Sequence, residues 1–147
     1  MSDCEQTAFN MACGLFGILY LSGHIEKCDS YNLELIKLGV ECAKVDREFV
    51  NTALPLNLYP QNGLYKKGYN VLALRTDKKL RIGIFKNGGE ATLTLDLSAY
   101  VNENSKLKEI YPLKDKSPIA VLDNGIFKFE SNKNITARVF EIETAEN

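Results

Sequence analysis

Apolar and polar residues alternate along the second half of the chain. From residue 70 onward the period is two, most clearly in ATLTLDL at 91–97, where leucine alternates with threonine or aspartate. This period places the apolar side chains on one face of a strand. Such segments are NVLALRT, LRIGIFK, ATLTLDL, LKEIYPL, IAVL, GIFKFE and TARVFEI, with turn residues at Asp77-Lys78-Lys79, Asn87-Gly88-Gly89 and Asp123-Asn124-Gly125. They predict an antiparallel β-sandwich of about seven strands.

Residues 29–50, DSYNLELIKLGVECAKVDREFV, instead repeat at three- and four-residue steps. This spacing predicts a helix, for which Asp29 or Ser30 supplies the N-cap oxygen. The apolar positions form two stripes, one of Leu33, Ile36, Val40 and Ala43 and the other of Leu35, Leu38, Cys42, Val45 and Phe49. A helix with two apolar stripes needs neighbours on two sides.

The segment FNMACGLFGILYLSGHI at 9–25 has no formally charged residue. A secretory signal would need a positive region before it, but Asp3 and Glu5 precede it and no Lys or Arg does. Its unbroken apolar run, Met11–Leu21, would extend only about 16 Å as a helix, too short for a bilayer. We therefore expect a short helix that is apolar on every side, with two glycines that permit close packing.

These patterns divide the chain into three parts. We expect a two-helix segment at 1–50, an extended connection at 51–69 and an antiparallel β-domain at 70–147, so the predicted fold is mainly β with two N-terminal α-helices. The connection contains two prolines and two glycines within LPLNLYPQNGLYKKGYN. Because the strands carry enough apolar residues to bury one another, we also expect the β-domain to stay folded when the chain is cut before Asn51.

Composition argues against several partners. The 147 residues are 45% hydrophobic, with 18 Lys and Arg against 19 Asp and Glu and no basic run longer than a lysine pair. This argues against nucleic acid and an anionic membrane surface as partners.

The four cysteines lack C-x-x-C spacing and there is one histidine, so we expect no metal. Buried free thiols indicate a reducing, cytoplasmic compartment, although a Cys28–Cys42 pair remains open.

The sequence contains few side chains in patterns typical of catalysis. His24 has no nucleophile motif nearby, and no phosphate-binding loop is present. Asp77, Asp115 and Asp123 lie in predicted turns, where aspartate commonly bonds backbone amides. We assign no catalytic, cofactor-binding or metal-binding residue and expect no cofactor. Tyrosine rings can stack on sugars or cover a core, and packing is the favoured interpretation for Tyr59, Tyr65, Tyr69, Tyr100 and Tyr111.

The order YLSGHI, then NLELIKLGVECAKVDREF, then strands ending in TARVFEI resembles the C-terminal end of family 36 glycoside hydrolases, the α-galactosidases and their melibiase-like relatives. The resemblance implies a last helix of a catalytic (β/α)₈ barrel, a second helix and a C-terminal β-domain. FNMACGLFGILYLSG would then be a barrel helix without its inner neighbours. The family's Lys-Trp-Asp nucleophile motif has no counterpart, since the chain has no tryptophan.

Three functions follow as hypotheses. The first is a noncatalytic C-terminal β-domain of an α-galactosidase-like glycoside hydrolase, with a structural role in interdomain packing. Its partner would be a catalytic barrel, or a second copy bound through the N-terminal helices. The alternatives are a stand-alone β-sandwich that binds protein or, weakly, sugar, and an enzyme with an unfamiliar site. No catalytic residue is identifiable, so the sequence leaves enzymatic activity open.

Overall fold

The computed structural model describes residues 4–61, 66–114 and 118–144. The helices of this part are α1 (Cys4–Gly14), α2 (Ser30–Val45) and α3 (Arg47–Thr52), with a single 3₁₀ turn at Ile25–Lys27. The strands are β1 (Leu54–Leu56), β2 (Gly68–Arg75), β3 (Lys79–Asn87), β4 (Thr92–Asp96), β5 (Lys106–Tyr111), β6 (Ile119–Asp123), β7 (Ile126–Glu130) and β8 (Ile135–Glu143).

The strands form two antiparallel sheets, one ordered β1-β2-β3-β8-β5 and the other β4-β7-β6. The prediction of a mainly β fold with N-terminal helices is confirmed, and all seven predicted strands are present. The eighth, β1, lies in the predicted extended connection at 51–69. Its Pro55 is tolerated because β1 is an edge strand of the larger sheet.

The sheets face each other across a core to which both contribute. Its buried members are Tyr69, Val71, Ala73, Leu80, Ile82, Ile84, Leu93, Leu95, Leu97, Phe127, Phe129, Phe140 and Ile142. The turns at 77–79 and 123–125 join hairpins, as predicted. The turn at Asn87-Gly88-Gly89 is different, because it carries the chain from β3 in one sheet to β4 in the other.

Helices α1 and α2 cover the other face of the five-stranded sheet. This second core consists of Ala8, Met11, Ala12, Leu15, Leu35, Phe85, Tyr111, Ala137 and Val139. Strands β3 and β8 therefore lie between two layers, and almost all of their residues are buried. Burial on both faces explains why LRIGIFK and TARVFEI alternate less strictly between apolar and polar residues than ATLTLDL does.

The predicted position of the first helix is wrong. The apolar run Met11–Leu21 is not one helix, because α1 begins at Cys4 and ends at Gly14, and residues 15–24 are neither helix nor strand. The chain folds back so that the Leu19 side chain fills the space beside Gly14. A Cβ at Gly14 would lie only 2.3 Å from Leu19 Cδ1. This contact between a glycine and a later leucine ends the helix in mid-run.

The second helix begins where predicted. Asp29 is its N-cap, and its Oδ1 accepts a 2.8 Å hydrogen bond from the Asn32 amide, which lowers the pKa of the Asp29 carboxyl. At Asp46 the backbone leaves helical geometry, with φ −132° and ψ 38°, so the predicted single helix is two. The two predicted stripes belong to one broad face whose buried residues are Asn32, Leu35 and Gly39, whereas Val45, assigned to the second stripe, is 86% exposed.

Candidate functional site

The histidine and the turn aspartates that the sequence offers as reactive groups do not form a common site among the described residues. His24 is exposed, and its Nδ1 lies 2.8 Å from Glu26 Oε1. Asp77 lies in the β2–β3 turn and Asp123 ends β6, while Asp115 lies outside the described residues. Within residues 4–61, 66–114 and 118–144, no three His, Cys, Asp or Glu side chains are grouped so that they could hold a metal ion.

The tyrosines expected to pack do so where they are described. Tyr69 is buried and donates a 2.7 Å hydrogen bond to the Ala91 carbonyl, and burial raises its pKa to about 12. Tyr111 is buried on the helix side, and its hydroxyl donates to the Leu35 carbonyl at 3.1 Å. Two more rings, of Tyr59 and Tyr100, pack partly buried against the sandwich core, and Tyr65 lies outside the described residues.

All four cysteines are free, so Cys28 and Cys42 do not form a disulfide. The expectation that the thiols are buried is wrong, because Cys13 is exposed and the other three are only partly covered. Cys13 lies on the side of α1 away from the sheet, since Met11 and Ala12 face the core. Cys42 donates weakly to the Ile110 carbonyl at 3.3 Å, and burial raises the pKa of its thiol.

Buried Arg81 of β3 joins the ends of all three helices to the larger sheet. Its Nη1 donates to the Leu15 carbonyl at 2.8 Å, just beyond α1. Its Nη2 lies 2.9 Å from both Asp46 Oδ2, between α2 and α3, and Glu141 Oε2 on β8. The guanidinium also lies 4.8 Å from the Phe49 ring centre in α3. One side chain thus fixes the position of four chain segments.

A second buried arginine, Arg138 of β8, holds the opposite end of α1. Its Nη1 and Nη2 donate to the carboxylate of Glu5 at 3.2 and 3.3 Å, and Nη1 also donates to Thr136. Lys133 contacts the same carboxylate. Burial alone would raise the pKa of Glu5, but hydrogen bonds from Arg138 and Lys133 outweigh it and the pKa is lowered. Glu5 therefore stabilises the fold above its ordinary titration range, and this contribution is lost as the pH falls through the lowered pKa.

After the end of α1, residues 15–21 form an irregular segment that we call the exit loop. Three of its side chains turn inward: Leu15 is buried, Leu19 covers Gly14, and Phe16 packs on Gly83 of β3. The others turn outward, with Ile18 79%, Tyr20 84% and Leu21 44% exposed. The inward side chains anchor the loop on α1 and β3, and the three outward side chains form what we call its outward apolar surface.

A pocket of about 570 Å³ lies between the exit loop and the α2–α3 junction. Its apolar lining consists of Gly14, Leu15, Gly17, Ile18, Leu19, Leu21, Val40, Ala43 and Val50. The polar residues that line it are Lys44, Arg47, Asn51 and Arg81. The outward apolar surface and this pocket are neighbours, and together they are the candidate functional site.

The inward anchoring of the exit loop predicts different effects at two glycines. A Cβ at Gly83 would lie 2.5 Å from the Phe16 ring and 2.7 Å from the Phe85 ring, so Gly83→Ala should displace both rings and cost about 1–3 kcal/mol of unfolding free energy. Gly17→Ala is the control, because nothing lies within 4 Å of its added Cβ. In urea denaturation, the midpoint of Gly17→Ala should be close to that of wild type. Equal midpoints for the two variants would show that Phe16 does not anchor the loop.

Sequence reasoning missed both buried arginines. Arg81 and Arg138 interrupt otherwise apolar strands, and a charge at such a position is a signal that a partner must be buried with it. The partners Glu5 and Asp46 are too distant in sequence for any spacing rule to find. The outward surface of the exit loop was also missed, because an all-apolar segment does not reveal which of its side chains face solvent.

Comparison with known proteins identifies no relative: no family model, no curated protein and no solved structure matches the chain. In the described part of the chain, the helices are too short or too polar for any of them to cross a membrane. The geometry of the site is therefore the basis for a functional assignment.

Proposed function

We propose that this chain is a noncatalytic β-domain of the kind that ends family 36 α-galactosidase-like glycoside hydrolases, and that its role is to pack against a catalytic barrel. The observation that carries the proposal is the exit loop, which presents Ile18, Tyr20 and Leu21 to solvent. Contiguous exposed apolar groups commonly mark interaction sites. The sequence resemblance implies a barrel as the neighbour of this segment.

The energetics of the exit loop favour a packing role. Ile18 is largely exposed, and its full burial would contribute about 1.5–3 kcal/mol. Tyr20 adds a large apolar ring with a hydroxyl that can reach the wet rim of an interface. Because Phe16 and Leu19 already hold the loop, binding need not order it, and the entropic cost of association is reduced.

Without a barrel, the same surface would pair with a second copy of the chain. The proposed self-association uses the outward side chains of the exit loop. The glycines predicted to support close helix approach do not supply it directly, because Leu19 occupies the space beside Gly14. We further propose a cytoplasmic location, which the unpaired state of all four thiols supports.

The proposal is tested by titrating the chain into the catalytic barrel of a family 36 α-galactosidase from which the C-terminal β-domain has been removed. We expect calorimetry to detect binding, and Ile18→Asp with Tyr20→Asp to weaken it at least about tenfold, since two charges would enter an apolar contact. The chain alone should release no nitrophenol from aryl α-galactosides.

The matched control is Ile119→Asp with Val121→Asp on β6. These side chains are 56% and 50% exposed, so the control adds the same charges to apolar positions on the smaller sheet. It should bind the barrel as wild type does. Absence of binding by wild type contradicts the proposal. A greater loss in the β6 variant would instead favour a β-sandwich that binds through its smaller sheet.

A further inference from the structure

We infer that the pocket between the exit loop and the α2–α3 junction binds a small amphipathic anion, an apolar chain that ends in a carboxylate or phosphate. The pocket shares Ile18 and Leu21 with the proposed packing surface, but the inference rests on the pocket's own lining and charges and not on barrel packing. The pocket's volume of about 570 Å³ falls within the range of about 300–1,000 Å³ typical of small-molecule sites. Most of its lining is aliphatic or glycine, which suits an apolar chain.

The charges at the pocket favour an anion. Lys44 lies in the last turn of α2 and Arg47 begins α3, so the break at Asp46 places two cations three residues apart on the same pocket. Among the described residues neither cation is in an ion pair, and no acidic side chain lines the pocket. The third cation, Arg81, is already neutralised by Asp46 and Glu141.

The aliphatic walls and the cations together distinguish this pocket from the others. The apolar groove beside β1 and β2 has no charged residue in its lining, and the pocket beside His24 has no Lys or Arg. A ligand with both an apolar part and a negative charge matches a lining that combines aliphatic residues such as Val40 and Ile18 with the cations Lys44 and Arg47. A cationic amphiphile would meet uncompensated repulsion.

Gly17 is a position at which a larger side chain can be added to the pocket lining without disturbing the fold. It lines the pocket, and nothing lies within 4 Å of a Cβ added there. Gly17→Leu should therefore fold, and it adds an isobutyl group to the lining of the pocket. The variant Lys44→Ala with Arg47→Ala removes the charges instead. Lys37→Ala is the control, because Lys37 is exposed on α2 and does not line the pocket.

The experiment titrates the full chain with decanoate, decyl phosphate or decyltrimethylammonium below their micellar concentrations, using calorimetry and amide NMR shifts. We expect both anions to bind, the cation not to bind, and shifts to centre on the exit loop. The Lys44/Arg47 variant should lose about tenfold or more in affinity, because each charged hydrogen bond contributes about 1.5–3 kcal/mol. Gly17→Leu should weaken binding, whereas Lys37→Ala should not change it.

Three results would overturn the inference: no binding by either anion, equal binding by the cationic amphiphile, or undiminished binding in both pocket variants. Thermal melts of each variant confirm that a loss of binding is not a loss of folding. If Gly17→Leu does not fold, the inference is still tested by the affinity of the Lys44/Arg47 variant and by the comparison of the anions with the cationic amphiphile. Failure here leaves barrel binding unaffected, since that is measured with variants at Ile18 and Tyr20.

Discussion

Removing residues 1–50 should abolish cooperative unfolding of the two sheets that remain. The larger sheet would expose Phe85, Tyr111 and Val139, which the helices bury. Arg81 would also lose its contacts with Leu15, Asp46 and Phe49, and Arg138 would lose its hydrogen bonds to Glu5. Fully exposing a large apolar side chain costs about 1.5–3 kcal/mol, and exposing three of them approaches the whole margin of about 5–15 kcal/mol that a domain has. The strand pattern alone predicts that the β-domain stays folded when the chain is cut before Asn51. The structure leads us to expect that it does not.

Thermal and urea denaturation of the truncated chain, followed by circular dichroism, measure this effect. The control is the same chain with a peptide of residues 1–50 added back, which should restore a sharp transition if contacts rather than chain length are responsible. A truncated chain that unfolds as sharply as the full chain would show that the helices are an appendage and that the sandwich core suffices.

Replacing Arg81 with alanine should lower the unfolding free energy by about 3–5 kcal/mol. The substitution removes the buried guanidinium that joins Asp46 to Glu141, so that Lys79 alone bridges the two carboxylates, and it leaves the Leu15 carbonyl without its donor. It also opens a cavity beside Phe49. Three helices should therefore loosen from the larger sheet at once.

Arg75→Ala is the control for this variant. Arg75 is exposed, and its guanidinium lies 5.2 Å from the Tyr100 ring centre, an arrangement that contributes about 0.5–1 kcal/mol. Urea denaturation of both variants should give losses that differ by at least about 2 kcal/mol. Similar losses would mean that Arg81 acts as an ordinary surface cation.

The strands were predictable because each has one face in the sandwich core, and a period of two is visible over five or more residues. β1 was not recognised as a strand, because it has only three residues and one is proline. The turn at Asn87-Gly88-Gly89 was predictable as a turn, but its residues do not specify whether the next strand joins the same sheet. The sheet that β4 joins depends on its pairing with β7.

The helices and the site depended on contacts distant in sequence. The apolar run Met11–Leu21 predicts burial, but Leu19 packing on Gly14 decides where the helix ends. Phe16, which belongs to the same apolar run, lies against Gly83 and packs partly buried on the core between helices and sheet. The outward surface of Ile18 and Tyr20 is what remains once these contacts form.

Amide hydrogen exchange of the chain with and without the truncated α-galactosidase barrel tests the packing role most directly, because it reports which surface becomes protected. We predict slower exchange in residues 17–21 and at the α2–α3 junction, and unchanged exchange in β4, β6 and β7. Protection of the β4-β7-β6 sheet with no change in residues 17–21 would contradict the proposal that the exit loop is the packing surface.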